Sequence, residues 1–172
     1  MQSVLTARAF HSTHSTLRER IVEHIFVGKV LRWFWNHGIA DVEVLRSEFD
    51  AGGYDLVMSY GKLDRHIQFK TTVVGGKADS VKASLKLMEK PGGCIIWIFV
   101  TEDLELEESY RWLGGLPGHQ LEIRSPKVAK HTKGDSKGNK ADRPQHRIIP
   151  RGDFEKPCSF DELMEKLFGK LQ

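Results

Sequence analysis

The chain has 172 residues, 40% of them hydrophobic and 28% charged, which suits one domain with a buried core and not a disordered chain. No apolar run approaches the ~18 residues of a membrane helix, so no helical membrane span is expected. The formal net charge of +3 is unevenly spread: residues 124–151 hold nine Lys/Arg against two Asp, a local +7 that leaves −4 for the rest.

In chain order, residues 1–16 are polar, rich in Ser, Thr and His, and lack the apolar core of a signal peptide. They read as a flexible N-terminal arm, with 17–172 as a single domain. Residues 17–35 place Ile21, Val22, Ile25, Phe26, Val30, Leu31 and Phe34 near the 3.6-residue period of a helix. Ser15 or Thr16 can cap its start and Gly38 its end. Residues 41–45 alternate as a strand, and Gly52-Gly53 breaks the chain. A strand at 54–60, a tight connection at 61–64 and a strand at 65–72 make an antiparallel hairpin. Val81, Leu85 and Met88 predict a helix over 78–89, ended by Pro91-Gly92-Gly93. The continuous apolar run 94–100 predicts a strand covered on both faces.

Residues 110–113 fit a short strand or a helical turn, and 121–125 fit another strand. Residues 128–143, basic and poor in large apolar side chains, predict a mobile loop. An edge strand is expected at 147–150. The closing helix, 160–171, starts with Ser159 as N-cap and Glu162 in a capping box. The fold class expected is α/β: a mixed four- to five-stranded sheet flanked by helices. Cys94 and Cys158 form no metal-type cluster. Cys94 reads as a buried thiol, and a reducing cytoplasm is the expected compartment.

Asp55 stands near the start of one hairpin strand, and Gln68 and Lys70 stand on the next. Side chains at i and i+2 share a strand face, so Gln68 and Lys70 project together and Phe69 points away. A hairpin lets Asp55 approach them. A hard cation such as Mg²⁺ takes oxygen ligands at about 2.0–2.1 Å and keeps several waters. The Asp55 carboxylate, the Gln68 amide oxygen and the Phe69 carbonyl can supply three. Lys70 can orient a water or offset charge on a phosphate. The competing reading makes Asp55 a turn cap beside Gly52-Gly53 and Lys70 an ordinary exposed strand lysine.

The segments 53–57 and 67–72, with a helix before and a helix-strand pair after, resemble the PD-(D/E)xK nuclease superfamily over residues 17–101. The resemblance implies a restriction-endonuclease-like core and hydrolysis of nucleic acid with Mg²⁺ or Mn²⁺. It assigns Asp55 to the strand carboxylate and Lys70 to the lysine. Gln68 replaces the usual Glu or Asp, as in Gln-x-Lys branches such as Mrr-like enzymes, and so removes one negative charge from the site. A further Glu from the first helix is implied: Glu23 is the choice, with Glu19 and Glu48 as alternatives. Many nucleases of this type act as dimers, so a homodimer is a further implication.

The basic segment 124–151 suggests a polyanion partner, DNA before RNA. Lys127, Lys130, Lys133, Lys137, Lys140, Arg143 and Arg147 are the candidate phosphate contacts, giving salt-dependent binding with little sequence readout. A solvated basic loop is the competing reading. The four tryptophans read mainly as core, and the set His131, Asn139 and His146 lacks the strand-helix context of another nuclease class. The rival functions are a catalytically silent nucleic-acid-binding module and a protein-interaction domain with an acidic partner.

Overall fold

The computed structural model describes residues 7–49, 52–131, 134, 136 and 138–170. It is an α/β structure. Helix α1 (Ala7–Thr13) is followed by the long α2 (Ser15–Asn36). The main sheet takes β1 (Val42–Arg46), β2 (Leu56–Tyr60), β3 (Leu63–Val73), β5 (Cys94–Val100) and β6 (Arg111–Gly114) in the order β1-β2-β3-β5-β6. All neighbours are antiparallel except β3 and β5, which run parallel with Gln68 opposite Ile95 and Lys70 opposite Trp97. The mixed five-stranded sheet agrees with the sequence expectation.

A second sheet, of order β4-β8-β7, joins β4 (Ser80–Ser84), β8 (Asp142–Pro150) and β7 (Val128–Lys130). Helix α3 (Phe160–Phe168) ends the fold. Its capping box is as expected: Glu162 N donates to Ser159 Oγ, and Ser159 N donates to a Glu162 carboxylate oxygen.

Two apolar clusters separate the layers. Val22, Phe26, Val30 and Phe34 of α2 meet Leu56, Met58, Ile67, Ile96 and Ile98 of the main sheet and Leu163, Met164 and Leu167 of α3. On the sheet's other face, Ile95 and Trp97 pack with Leu87, Ala83, Ile149 and Phe154 under the second sheet. β5 therefore loses both faces from water, as its unbroken apolar run requires. One face of the main sheet is flanked by helices, as expected, and the other is covered largely by strands.

Several local expectations are corrected. Part of the expected arm, Ala7–Thr13, is helical, and residues 1–6 lie outside the described residues. His14 takes the N-cap position of α2, so Ser15 and Thr16 are inside the helix. The helix expected over 78–89 is instead β4 followed by a 3-10 helix, Leu85–Glu89. Ser80 and Ser84 are weak helix formers, and pairing of β4 with β8 outweighs the helical spacing. Ser84 Oγ accepts from Lys86 N and so caps the 3-10 turn.

The short edge strand expected at 147–150 is the end of β8, the central strand of its sheet. Pro144 is tolerated there because the β7–β8 register jumps from Val128↔Arg147 to Ala129↔Arg143, leaving 144–146 in a bulge. The expected mobile loop at 128–143 thus begins and ends as strand, with 131–141 between. Residues 121–125 form no strand. Leu121 is buried and Ser125 Oγ donates to Ile148 O, so side-chain contacts hold this segment.

Candidate active site

The turn before β2 sets Asp55. Gly53 is buried at φ +73°, and a Cβ built on it would lie 2.6 Å from Ser84 Cβ. Only glycine accepts both the left-handed backbone and that approach. The chain then passes Tyr54, whose ring meets His66 edge-on at 4.8 Å. Asp55 N donates to Ile67 O at 2.8 Å, and Phe69 N donates to Asp55 Oδ2 at 2.6 Å. The carboxylate is thereby pinned to β3 at the peptide that joins Gln68 to Phe69.

Ile67 and Phe69 belong to the helix-side cluster, so alternation turns Gln68 and Lys70 to the other face, that of Ile95 and Trp97. Both are half-buried. Gln68 Oε1 is sealed from water and has no hydrogen-bond partner among the described residues. A buried acceptor left in this state costs about 1–3 kcal/mol, which a cation or donor placed there would recover. Phe69 packs its ring against Phe26, with centroids 5.2 Å apart, and this fixes the peptide whose carbonyl is the third candidate ligand.

Glu23 is placed differently. Its carboxylate is buried on α2 and ion-paired to Arg46 at the end of β1, and to Arg20 at 3.0 Å. Arg46 pairs with Leu56 in the sheet, on the helix-side face. Glu23 therefore sits across the sheet from Gln68 and Lys70, its charge met by two guanidinium groups. The two arginines escaped the sequence reading, although an arginine ending a strand beside a helical Glu is a usable signal. Glu19 is exposed and lies 3.6 Å from Arg18, and Glu48 is exposed in the loop before Asp55. Among the described residues no group of three or more His, Cys, Asp or Glu gathers as a metal site. A cation here would depend on one carboxylate, one amide and one carbonyl.

His66 shares the Gln68 face, and its Nδ1 lies 2.7 Å from Pro91 O, which makes that nitrogen the donor. Of the basic set, Lys127, Lys130 and Lys140 are exposed, and Lys133 and Lys137 lie outside the described residues. Arg143 Nη2 donates to His146 Nε2 at 2.8 Å. Arg147 Nη1 donates to Pro144 O at 2.7 Å and to His146 O at 3.2 Å, carbonyls that the bulge leaves off the β7 ladder. Trp97 and Trp112 are core residues, Trp33 Nε1 donates to Asp161 Oδ1, and Trp35 is exposed. A cleft of about 900 Å³ lined by Leu113, Leu121, Ile123, Arg124 and Asp153 contains none of Asp55, Gln68 and Lys70.

Cys94 and Cys158 are buried free thiols, and burial pushes Cys94 up to about 12, which keeps it protonated and inert. Among the described residues no helix is long and apolar enough to cross a membrane. No protein-family model matches the chain, and comparison with curated proteins finds no relative.

Proposed function

We propose that this chain is a divalent-metal-dependent nuclease of the PD-(D/E)xK type, in its Gln-x-Lys form, acting on DNA in the cytoplasm. The observation that carries the reading is the Gln68 amide oxygen: buried, without a partner, and one peptide from the group that holds the Asp55 carboxylate. An orphaned oxygen beside a fixed carboxylate fits the oxygen-donor preference of Mg²⁺ or Mn²⁺.

Asp55, Gln68 and the Phe69 carbonyl would hold the cation. When bound, it supplies Lewis acidity for adding water across a phosphodiester, giving a phosphate monoester and a free hydroxyl. Asp55 contributes the site's negative charge and keeps its orientation through the Phe69 N–H bond. Gln68 contributes an uncharged oxygen. Lys70, projecting from the same face, offsets the negative charge that grows on the phosphate as the leaving oxygen departs. The single carboxylate predicts weaker cation binding than a two-acid site would show. The exposed Lys127, Lys130 and Lys140 would hold the nucleic-acid backbone by charge. Cutting both strands of a duplex would call for two copies of the chain.

A silent nucleic-acid-binding module is favoured by one observation: Asp55 Oδ2 already accepts the Phe69 N–H, so part of the carboxylate is spent on structure. Incubation with plasmid and single-stranded DNA in Mg²⁺ or Mn²⁺ decides between them. Cleavage lost in both Asp55→Ala and Lys70→Ala supports the enzyme. Retention of DNA at low salt with no cleavage supports the silent module. Without cleavage, binding unchanged from low to high salt removes the polyanion argument and favours the protein-interaction domain over the silent module.

A further inference from the structure

Alternate residues of β8 face the main sheet. Ile149 is buried in the cluster with Ile95 and Trp97. Arg151, beyond the strand end, lays its guanidinium over the Trp97 and Phe99 rings at 5.4 and 5.6 Å. Arg147 has the same parity and pairs with Ala83, itself buried in that cluster. Paired residues in an antiparallel ladder share a face, so Arg147 projects from the inner side of the second sheet. The next residue along β4, Ser84, abuts Gly53, two positions before Asp55. Arg147 therefore sits at the end of the second sheet that overhangs the Asp55 turn. Its guanidinium is held by Nη1 bonds to the bulge carbonyls of Pro144 and His146. Nε and Nη2 have no hydrogen-bond partner among the described residues.

We infer that Arg147 is the phosphate-gripping residue of the Asp55–Gln68–Lys70 site, an inference that rests on the nuclease reading. It is not one more member of the diffuse basic set. The two bulge carbonyls hold the planar fork in one orientation before substrate arrives. A phosphodiester bound there meets Lys70 from the main sheet and the Arg147 fork from the second. The substrate lies in the seam between the two sheets, and the second sheet is part of the active site.

The test uses the full chain, ¹⁵N-labelled at arginine, titrated in EDTA with the dinucleotide thymidylyl-thymidine. The Arg147 Nε–H resonance, identified by its absence in Arg147→Lys, should shift and saturate with dinucleotide. A stationary resonance, or no dinucleotide binding, overturns the inference. In parallel, a labelled single-stranded oligonucleotide is bound in EDTA and followed by fluorescence anisotropy. Arg147→Gln should weaken binding roughly tenfold or more, as loss of a charge-assisted bond to phosphate does. Lys127→Ala should weaken it less than threefold, and equal losses at the two positions would reduce Arg147 to general charge. The titration is read on the wild-type protein, and Arg147→Gln assigns the resonance equally well should Arg147→Lys misfold. The nuclease reading fails on a separate outcome: DNA bound with a shifted Arg147 resonance, yet no cleavage in Mg²⁺ or Mn²⁺.

Discussion

Replacing Gly53 by Ala probes the contact that sets Asp55. The added Cβ would stand 2.6 Å from Ser84 Cβ and 3.0 Å from Ser84 Oγ, on a backbone at φ +73°. A left-handed backbone costs an alanine about 1–2 kcal/mol. The clash adds overpacking of about 1–3 kcal/mol, because Ser84 is held by its strand and by its cap on Lys86 N. The sum is roughly 3 kcal/mol, and a chain of this length should melt about 6–12 °C lower. Ser84→Gly alone should cost about 1 kcal/mol through the lost cap and a glycine at a strand end. In the double variant the nearest remaining neighbour is Leu87 N at 3.6 Å, an ordinary contact. Only the strain and the lost cap then remain, so the double variant should be less destabilised than the two singles combined, by about 1–2 kcal/mol. Urea unfolding of all four proteins measures this. Additivity within about 0.5 kcal/mol would refute the steric account of how the turn places Asp55.

Three further outcomes are expected. Gln68→Glu restores a second carboxylate, so Mg²⁺ affinity by calorimetry should rise at least about tenfold, while without cation the adjacent charges should lower the melting temperature; unchanged affinity removes Gln68 from the ligand set. Arg65 is fully buried, donates to Leu167 O at 2.6 Å, Lys166 O at 2.7 Å and Gly115 O at 3.2 Å, and lies over the Trp112 ring. Arg65→Met keeps much of the volume but strands those carbonyls, so it should cost about 3–4 kcal/mol in urea unfolding, and a loss under about 1 kcal/mol would show that they find other donors. The Ser159 N–H and hydroxyl hold the Glu162 carboxyl below its ordinary 4.5. Its contribution is therefore present above that value and lost as pH falls through the lower folded one. The melting gap between wild type and Glu162→Ala should be constant near neutrality and shrink in acid; a gap that grows in acid would contradict the sign.

The sequence was most legible where one local pattern met no rival. The wide apolar face of α2, the unbroken run of β5 and the Ser159–Glu162 box each specify an element with little reference to the rest of the chain. The hairpin that joins β2 to β3 was legible too, and with it the alignment of Asp55 against the Gln68–Lys70 strand. The segment 78–89 was not, because Val81, Leu85 and Met88 satisfy a helical period while the decisive partner, β8, lies far along the chain. The segment 147–150 read as a short edge strand, and only the register jump opposite β7 explains how the central strand it belongs to tolerates Pro144. The bulge carbonyls that bind Arg147 follow from the same jump, so spacing alone could not separate Arg147 from the lysines before it. Glu23 was misleading for a related reason: its position on α2 is readable, but its two guanidinium partners are a tertiary fact.

The route of the chain through β4 has a consequence for dissection. β3 and β5 lie side by side in one sheet, yet the chain between them leaves to form an edge of the other sheet before returning. The two layers are stitched by a strand that neither can surrender. Cutting the chain before β7 would not release a tidy minimal core. It would strip β4 of β8, its neighbour in the sheet, and bare a ladder of unpaired amides above Ile95 and Trp97, a surface prone to self-association.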